Sequence, residues 1–220
     1  MQLMKPSPGL QPSRAGTRRC SRAQMQRNSF LADALVGLFP RPKPRQPAEI
    51  KLILDKIEGS RGGILTSPAE KAEIISLIES VADANKDAIT TTNKLSATWR
   101  LLWGTEKETQ FICKNAGIFG TQAGDIYQVI DLDEGLLQNV ITFPPSGSFC
   151  VNSSISVENG QRTSFKFTGA TLNRASGKTN IPPFGKGWFE TIYIDDSIRI
   201  ARDIRGDYLV VERDGPPRLF

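Results

Sequence analysis

Two arginines near the C-terminus have a spacing that could place a guanidinium group in a binding site. Arg199 and Arg202 lie in the run Ser-Ile-Arg-Ile-Ala-Arg, residues 197–202, which is otherwise mostly apolar. In an extended strand successive side chains point to opposite faces, so Arg202 shares a face with Ile198 and Ile200. A guanidinium that ends such an apolar face needs a partner, because a buried charge without one is costly.

Two kinds of partner would suit Arg202. The first is a carboxylate, such as Asp131, Asp195 or Asp207, in a structural salt bridge at the end of a sheet. The second is the anionic head group of a bound ligand. The spacing of the residues leaves both open.

The composition argues against most catalytic and metal chemistry. The chain has no histidine, which excludes Ser-His-Asp and Cys-His nucleophile systems and histidine metal sites. It also has no Cys-x-x-Cys motif, which argues against a zinc site. The carboxylate pairs Asp131/Asp133 and Asp195/Asp196 fall in turn-like positions, where solvated acids are the ordinary explanation. The sequence therefore predicts no enzyme, no cofactor and no metal.

The positive charge of the chain is concentrated at its N-terminus. Residues 1–47 hold nine Lys/Arg and one acid, so the rest, with 19 Lys/Arg and 22 acids, has a formal charge of −3. That remainder has no overall attraction for nucleic acid. The Arg- and Ser-rich, acid-poor segment 1–47 predicts a cleaved organelle transit peptide that ends in a disordered Pro/Arg-rich leader. A permanent basic arm that touches nucleic acid or anionic lipid is the alternative. Residues 48–215 are predicted to form one domain.

Two short helices are predicted at the start of this domain. Apolar residues recur at helical spacing in residues 49–59, and Gly59 is a natural stop. Residues 66–82 begin with a capping box, in which Ser67 is the N-cap and Glu70 follows three residues later. The two helices precede every predicted strand.

Strand-like runs fill the rest of the domain. They occupy residues 95–103, 109–113, 125–132, 137–143, 148–157, 163–172, 188–194, 197–202 and 208–213. Asn159-Gly160 predicts a type I′ hairpin turn between two of them. Sequential strands with short connections favour an antiparallel meander, and closure into a barrel of about eight strands removes its edges. The predicted fold is mainly β, of the α+β class, with two N-terminal helices.

The alternation of side chains indicates what faces the barrel interior. Trp99, Leu101 and Trp103 share one face of their strand, and Phe165 and Phe167 share a face of theirs. These faces are expected to point inward. An eight-stranded barrel is just wide enough either to be filled by side chains or to hold one small ligand, and both remain open.

Three sets of residues resemble the plastid-lipid-associated protein (PAP), or fibrillin, family. Residues 99–103, Trp-Arg-Leu-Leu-Trp, are similar to the family's W-x-L-L-Y-T. Residues 127–131 followed by 139–140 are similar to its Q-x-I-D run before an Asn-containing strand. Residues 187–206 are similar to its C-terminal W-x-x-x-x-Y-L-D-x-x-x-R-I-x-R-x-x-x-G. The resemblance runs from about residue 51 to residue 213.

The resemblance implies a non-catalytic plastid protein with a lipocalin-like barrel. Such a protein binds or organises lipophilic metabolites, such as carotenoids, prenylquinones and fatty acids, at thylakoids or plastoglobules. The expected ligand-binding residues are the apolar lining of the barrel and an arginine that meets a polar head. They are Trp99, Leu101, Phe165, Phe167, Trp188 and Tyr193 for the lining, and Arg202, with Arg199 as second choice, for the head. Residues 173–186 are expected to form a long loop, either a lid, a contact to anionic lipid, or an ordinary solvated loop.

Two rival hypotheses stand beside this one. In the first, the barrel is filled, and the protein docks through its helices or its rim on a membrane-bound plastid enzyme of isoprenoid or quinone synthesis. In the second, it is an enzyme that uses carboxylates alone. An extracted lipid would favour binding, whereas a filled interior with an exposed apolar patch would favour docking.

Overall fold

Helices begin the described part of the chain, and strands make up most of the rest. The computed structural model describes residues 46–119, 122–182 and 185–220. The predicted leader, residues 1–47, lies outside them apart from its last two residues. Residues Gln46–Phe220 form one compact unit.

Two helices stand where the sequence predicts them. They are α1 (Ala48–Ile57) and α2 (Pro68–Ala84). At the start of α2, Ser67 Oγ accepts from the Glu70 backbone N–H, and the Glu70 carboxylate accepts from the Ser67 N–H. This confirms the predicted capping box, and the Ser67 hydrogen bonds lower the pKa of Glu70. Both helices bury one apolar face, as their spacing requires.

Eight antiparallel strands close into a barrel, and a ninth lies beside them. The strands are β1 (Ala97–Gly104), β2 (Ile126–Asp131), β3 (Leu136–Phe143), β4 (Gly147–Val157), β5 (Arg162–Arg174), β6 (Gly177–Ile181), β7 (Lys186–Ile194), β8 (Ile198–Asp203) and β9 (Tyr208–Arg213). Around the ring the order is β1-β2-β3-β4-β5-β7-β8-β9, and β9 pairs with β1 again. The predicted barrel of about eight antiparallel strands is confirmed.

The long strand β5 divides one of its edges between two partners. Along the other edge it pairs with β4 over most of its length. On the divided edge, its first half pairs with β7 and its second half, Ala170 to Arg174, pairs with β6. The prediction of a loop over residues 173–186 was therefore wrong for residues 177–181, which form a short hairpin strand, and for residues 173–174 and 186, which lie in β5 and β7.

The run 109–113 was predicted as a strand and is helical. It lies within α3 (Lys107–Asn115), which connects β1 to β2. A short apolar run does not by itself distinguish a strand from one face of a helix. Here Ile112 and Cys113 pack on Phe143 and its neighbours at one end of the barrel, while Phe111 points away.

The predicted hairpin turn is present with a different geometry. Residues 158–161 connect β4 to β5, but neither Asn159 nor Gly160 has the positive φ that a type I′ turn requires. The Asn159 side-chain oxygen instead accepts from the backbone N–H groups of Gln161 and Arg162 at 2.9 Å each. The connection is thus a four-residue loop that an asparagine side chain stabilises.

The helices pack against the outside of the barrel. The apolar faces of α1 and α2 cover Ile198 and Ile200 of β8 and Tyr208 and Val210 of β9. A second cluster, which includes Trp99, lies inside the barrel. None of the helices within residues 46–119, 122–182 and 185–220 is both long and apolar enough to cross a membrane.

A candidate binding site inside the barrel

The strand register identifies which side chains face the interior. On β8, Arg199 pairs with Ile194 and Val211, and Ala201 pairs with Leu209. These three partners and Ala201 itself belong to the interior cluster, whereas the alternate residues of β8 contact the helices. Arg199 therefore points into the barrel, and Arg202 points out.

Five of the predicted site residues face the interior. Trp99 and Leu101 do so from β1, and Phe165 and Phe167 do so from β5, where their ring centroids lie 5.3 Å apart. Arg199, the second-choice arginine, is the fifth. The structure brings these residues together on the inner wall, and ligand binding by them stays a prediction.

Trp188 and Tyr193 lie on the outside, so their expected place in the lining was wrong. Trp188 pairs with Ser164, and the Arg162 guanidinium lies 4.0 Å from its ring centroid on the outer surface. Between Thr191 and Tyr193 the register of β7 shifts by one residue. This bulge reverses the alternation, and Tyr193 packs with the helices.

A second bulge places Trp103 outside as well. On β1, Leu101 pairs with Val211 and Trp103 pairs with Val210, so that one residue, Leu102, is extra. Trp103 consequently packs on the helices and donates its indole N–H to Thr66 Oγ1 at 3.0 Å. The simple alternation that grouped it with Trp99 does not continue past the bulge.

Arg202 forms a structural ion-pair cluster on the outer surface. Its Nη2 lies 3.1 Å from Glu190 Oε2, and its Nη1 lies 3.3 Å from Glu79 Oε1 on α2. Burial acts to raise the pKa of Glu190, but the hydrogen bonds from Arg162 and Arg202 hold it below its ordinary value. Arg202 therefore does not lie inside the barrel, where it was expected to meet a ligand head group. The salt-bridge alternative describes it, with carboxylates other than the three that the sequence suggested.

Arg199 is fully buried among aromatic and amide side chains. The centre of its guanidinium lies 5.5 Å from the Trp99 ring centroid and 5.4 Å from that of Phe189. Its Nη2 donates to Gln128 Oε1, and Gln128 Nε2 donates in turn to Asn139 Oδ1 at 2.9 Å. A short polar chain therefore crosses the interior from β8 to β3.

The guanidinium of Arg199 lacks a counter-charge. Within the described residues no carboxylate lies within 4.0 Å of it, and its Nε and Nη1 atoms are buried without a hydrogen-bond acceptor. Burial, together with the positive charge of Arg213, lowers the pKa of Arg199 to about 9. The group still carries its proton at neutral pH, so the interior contains a net positive charge.

The Arg213 guanidinium also lies over the Trp99 ring, but each of its three nitrogens donates a hydrogen bond. Its guanidinium is 4.4 Å from the Trp99 ring centroid. It donates to the backbone carbonyl oxygens of Asp196, Ser96 and Lys94. Of the two arginines on Trp99, only Arg199 has guanidinium nitrogens that are buried without any acceptor among the described residues.

Three hydroxyl groups on the inner wall share this lack of partners. Ser153, Thr163 and Thr191 are buried, and none of their side-chain oxygens has a partner among the described residues. Thr163 pairs with Phe189, the ring beside the Arg199 guanidinium, and Thr191 follows Phe189 by two residues. Native interiors leave few polar groups unsatisfied, so this concentration calls for an explanation.

The side chains of the inner wall do not bury one another completely. Leu101, Phe165 and Phe167 face the interior and yet are only half-buried. A pocket of about 1110 Å³ lies at the end of the barrel where α3 sits, and Leu101 and Ile126 of the interior line it. Residues 58–62, in the connection between α1 and α2, also line it.

Sequence reasoning missed Gln128 and Asn139 as members of the site. The signal was present, because Gln128 alternates with Ile126 and Ile130 on one face of β2. A polar residue in the middle of an inward face marks a position where the interior is polar. The described residues contain no group of three or more His, Cys, Asp or Glu side chains that could hold a metal ion.

Comparison with known proteins assigns the chain to a family. The PAP_fibrillin family model matches residues 48–212. The chain is 51% identical over 172 residues to the probable plastid-lipid-associated protein 11, chloroplastic, of Arabidopsis thaliana, covering 77% of this chain and 81% of that protein. It is 20% identical to the light-induced protein, chloroplastic, of Solanum tuberosum, covering 84% of this chain and 74% of that one. No solved structure matches it significantly. The chain belongs to the plastid-lipid-associated protein, or fibrillin, family.

Proposed function

We propose that this protein is a non-catalytic plastid protein that binds a small lipophilic molecule inside its barrel. The observation that carries the proposal is an inner wall of half-buried apolar side chains around a buried arginine with free N–H groups. Carotenoids, prenylquinones and fatty acids are the ligand classes that the family resemblance implies. The chloroplastic relatives support a plastid location, and residues 1–47 would be the transit peptide and leader of the domain at 48–215.

The protein would work at the surface of thylakoids or plastoglobules. Three exposed apolar side chains support peripheral contact with a lipid surface: Leu65, Phe111 and Ile204, which are 60%, 67% and 51% exposed. The segments that carry them meet at the α3 end of the barrel. Arg205, next to Ile204, forms ion pairs of 2.8 and 2.7 Å with Glu106 and Glu108 at the start of α3.

The same exposed side chains support the second candidate function. A protein partner, such as a plastid enzyme of isoprenoid or quinone synthesis, would cover Leu65 and Phe111 as well as a lipid surface would. The partly accessible inner wall favours ligand binding over this docking role. Nucleic acid is not a proposed partner.

Native mass spectrometry with organic extraction tests the proposal. The protein purified from a plastid-containing source, which would span residues 48–220 once the leader is removed, is expected to carry a lipophilic molecule that extraction releases. A protein that is isolated empty, and that takes up none of the three ligand classes on titration, would contradict ligand binding. The same preparation examined for co-purifying isoprenoid or quinone enzymes then tests the docking role.

A further inference from the structure

The unsatisfied donors of Arg199 specify the chemistry of the missing partner. One hydrogen on Nε and two on Nη1 have no acceptor, so three of the five N–H groups of the guanidinium are open. An arginine presents donors only, and it therefore needs oxygen acceptors, best carried by an anion. A wholly hydrocarbon ligand would leave these donors unsatisfied.

The number of positive charges around the site limits how much negative charge that anion can carry. Arg199 carries one positive charge. Arg213 adds a second one nearby, but each of its three guanidinium nitrogens already donates to a backbone carbonyl, so the donors open to a ligand belong to Arg199. One carboxylate neutralises one guanidinium. A diphosphate would bring further negative charges into a buried space where the described residues offer no other free cation.

Resting on the proposed function, we infer that the barrel binds an acyl lipid with a free carboxylate, whose head group accepts hydrogen bonds from Arg199. The hydroxyl of Thr163, on the strand beside Phe189, and that of Thr191, two residues after Phe189 on its own strand, supply further donors on the same side of the wall. Long-chain fatty acids are the ligand class.

Apolar side chains of the wall lie between Arg199 and the pocket at the α3 end. Leu101 faces inward on β1, near Val211 and the bulge, and it lines both the interior and the pocket at the α3 end. Phe165 and Phe167 form an aromatic pair on the opposite part of the wall. Arg199 is fully buried and is not among the residues that line the pocket, so a head group at Arg199 requires neighbouring side chains to move aside. The acyl chain would then run past Leu101 towards the pocket.

A pair of ligands that differ only in the carboxylate tests the inference. The full chain is loaded with the neutral fluorescent dye N-phenyl-1-naphthylamine, and oleate or methyl oleate is added to displace it. Oleate is expected to displace the dye at about tenfold or more lower concentration than methyl oleate, since hydrogen bonds to a charged group are worth roughly that factor. This comparison uses the unaltered chain and does not depend on any variant folding.

Arg199→Gln tests the residue, and Arg202→Gln is its matched control. The first variant is expected to bind the dye and methyl oleate but to lose the preference for oleate. The second removes an arginine from the outer surface of the same strand and is expected to keep the preference. Circular dichroism confirms that each variant is folded.

The outcomes separate the two proposals. If neither the dye nor either lipid binds, the proposed function fails. If oleate and methyl oleate displace the dye equally, or if Arg199→Gln folds and keeps the preference, ligand binding stands and the carboxylate site is overturned. Tighter binding of geranylgeranyl diphosphate than of oleate would also overturn it, in favour of a phosphate head group.

Discussion

Arg199 and Arg202 are three residues apart on β8 and lie on opposite sides of the barrel wall. Arg202 is half-buried, with two carboxylates beside it, and it joins α2 to the sheet. Arg199 is 0% exposed and has one amide oxygen and two aromatic rings as neighbours. Removing the two side chains should therefore have opposite effects on the stability of the ligand-free protein.

Replacing Arg199 with methionine should stabilise the ligand-free protein. Methionine fills the space of the side chain and removes a buried guanidinium whose hydrogen bonds are incomplete, for a gain of about 1–3 kcal/mol in the free energy of unfolding. Urea denaturation, followed by tryptophan fluorescence, measures it. A loss of stability in this variant would mean that Arg199 already has an adequate partner.

Replacing Arg202 with methionine should lower the free energy of unfolding. The variant leaves Glu79 and Glu190 without their shared cation, and the half-buried setting makes the loss about 1 kcal/mol. The same urea denaturation gives the comparison. Equal stability of this variant and the parent protein would show that the ion pairs are screened and contribute nothing.

Glu190 should make stability depend on pH in the acid range. Its pKa in the folded protein is held below the ordinary value of about 4.3 by Arg162 and Arg202 against the effect of burial. A lowered folded-state pKa contributes stability that is present above the unfolded pKa and is lost as pH falls through the folded one. Glu190→Gln should reduce the loss of stability below about pH 4. Parallel pH curves for parent and variant would exclude the effect.

Within the individual strands, β-bulges determine which residues face the barrel interior. The extra residues in β1 and β7, Leu102 and Ile192, reverse the alternation and turn Trp103 and Tyr193 towards the helices. The starts of α1 and α2 and most of the strands were predictable because capping residues and local apolar patterns specify them, whereas α3 was predicted as a strand and β6 as part of a loop. The faces beyond a bulge were not predictable, because one inserted residue shifts the phase and leaves no local sequence signal.

The site residues were predictable only where strand alternation gives the correct direction of the side chain. Trp99 and Leu101 precede the bulge in β1, and their inward direction follows from alternation alone. The preference for Arg202 over Arg199 rested on its apolar neighbours Ile198 and Ile200. Those neighbours are buried under helices rather than inside the barrel, and an apolar face in a strand does not reveal which layer covers it.

α3 and the segments around it should determine contact with a lipid surface. Phe111→Asp removes one exposed apolar side chain and adds a negative charge, so binding to vesicles of plastid galactolipids should fall several-fold. Ile89→Asp is the matched control. Ile89 is 73% exposed and lies beside the β4–β5 connection, away from α3. Vesicle flotation measures both variants. An equal loss in the two would mean that no particular end of the barrel faces the lipid.

At the scale of the whole molecule, the closed ring surrounds an interior charge that a ligand would neutralise. Binding to the folded state alone stabilises it by an amount that depends on ligand concentration. Oleate at 100 times its dissociation constant should therefore add about 2.7 kcal/mol to the free energy of unfolding. Thermal unfolding with and without oleate measures the shift, and methyl oleate at equal concentration should give a smaller one. An equal shift with both lipids would contradict a carboxylate site.

The pairing of β9 with β1 also bears on how the chain folds. Residues that pair there, such as Trp99 and Arg213, are more than 100 positions apart, whereas every other neighbour in the ring is closer in sequence. Such distant contacts slow folding, because a long loop must close before the contacts can form. Until the last strand has been synthesised, β1 and β8 each have an unpaired edge that can pair with another chain. Pairing of β9 with both neighbours is thus the step that removes these two edges.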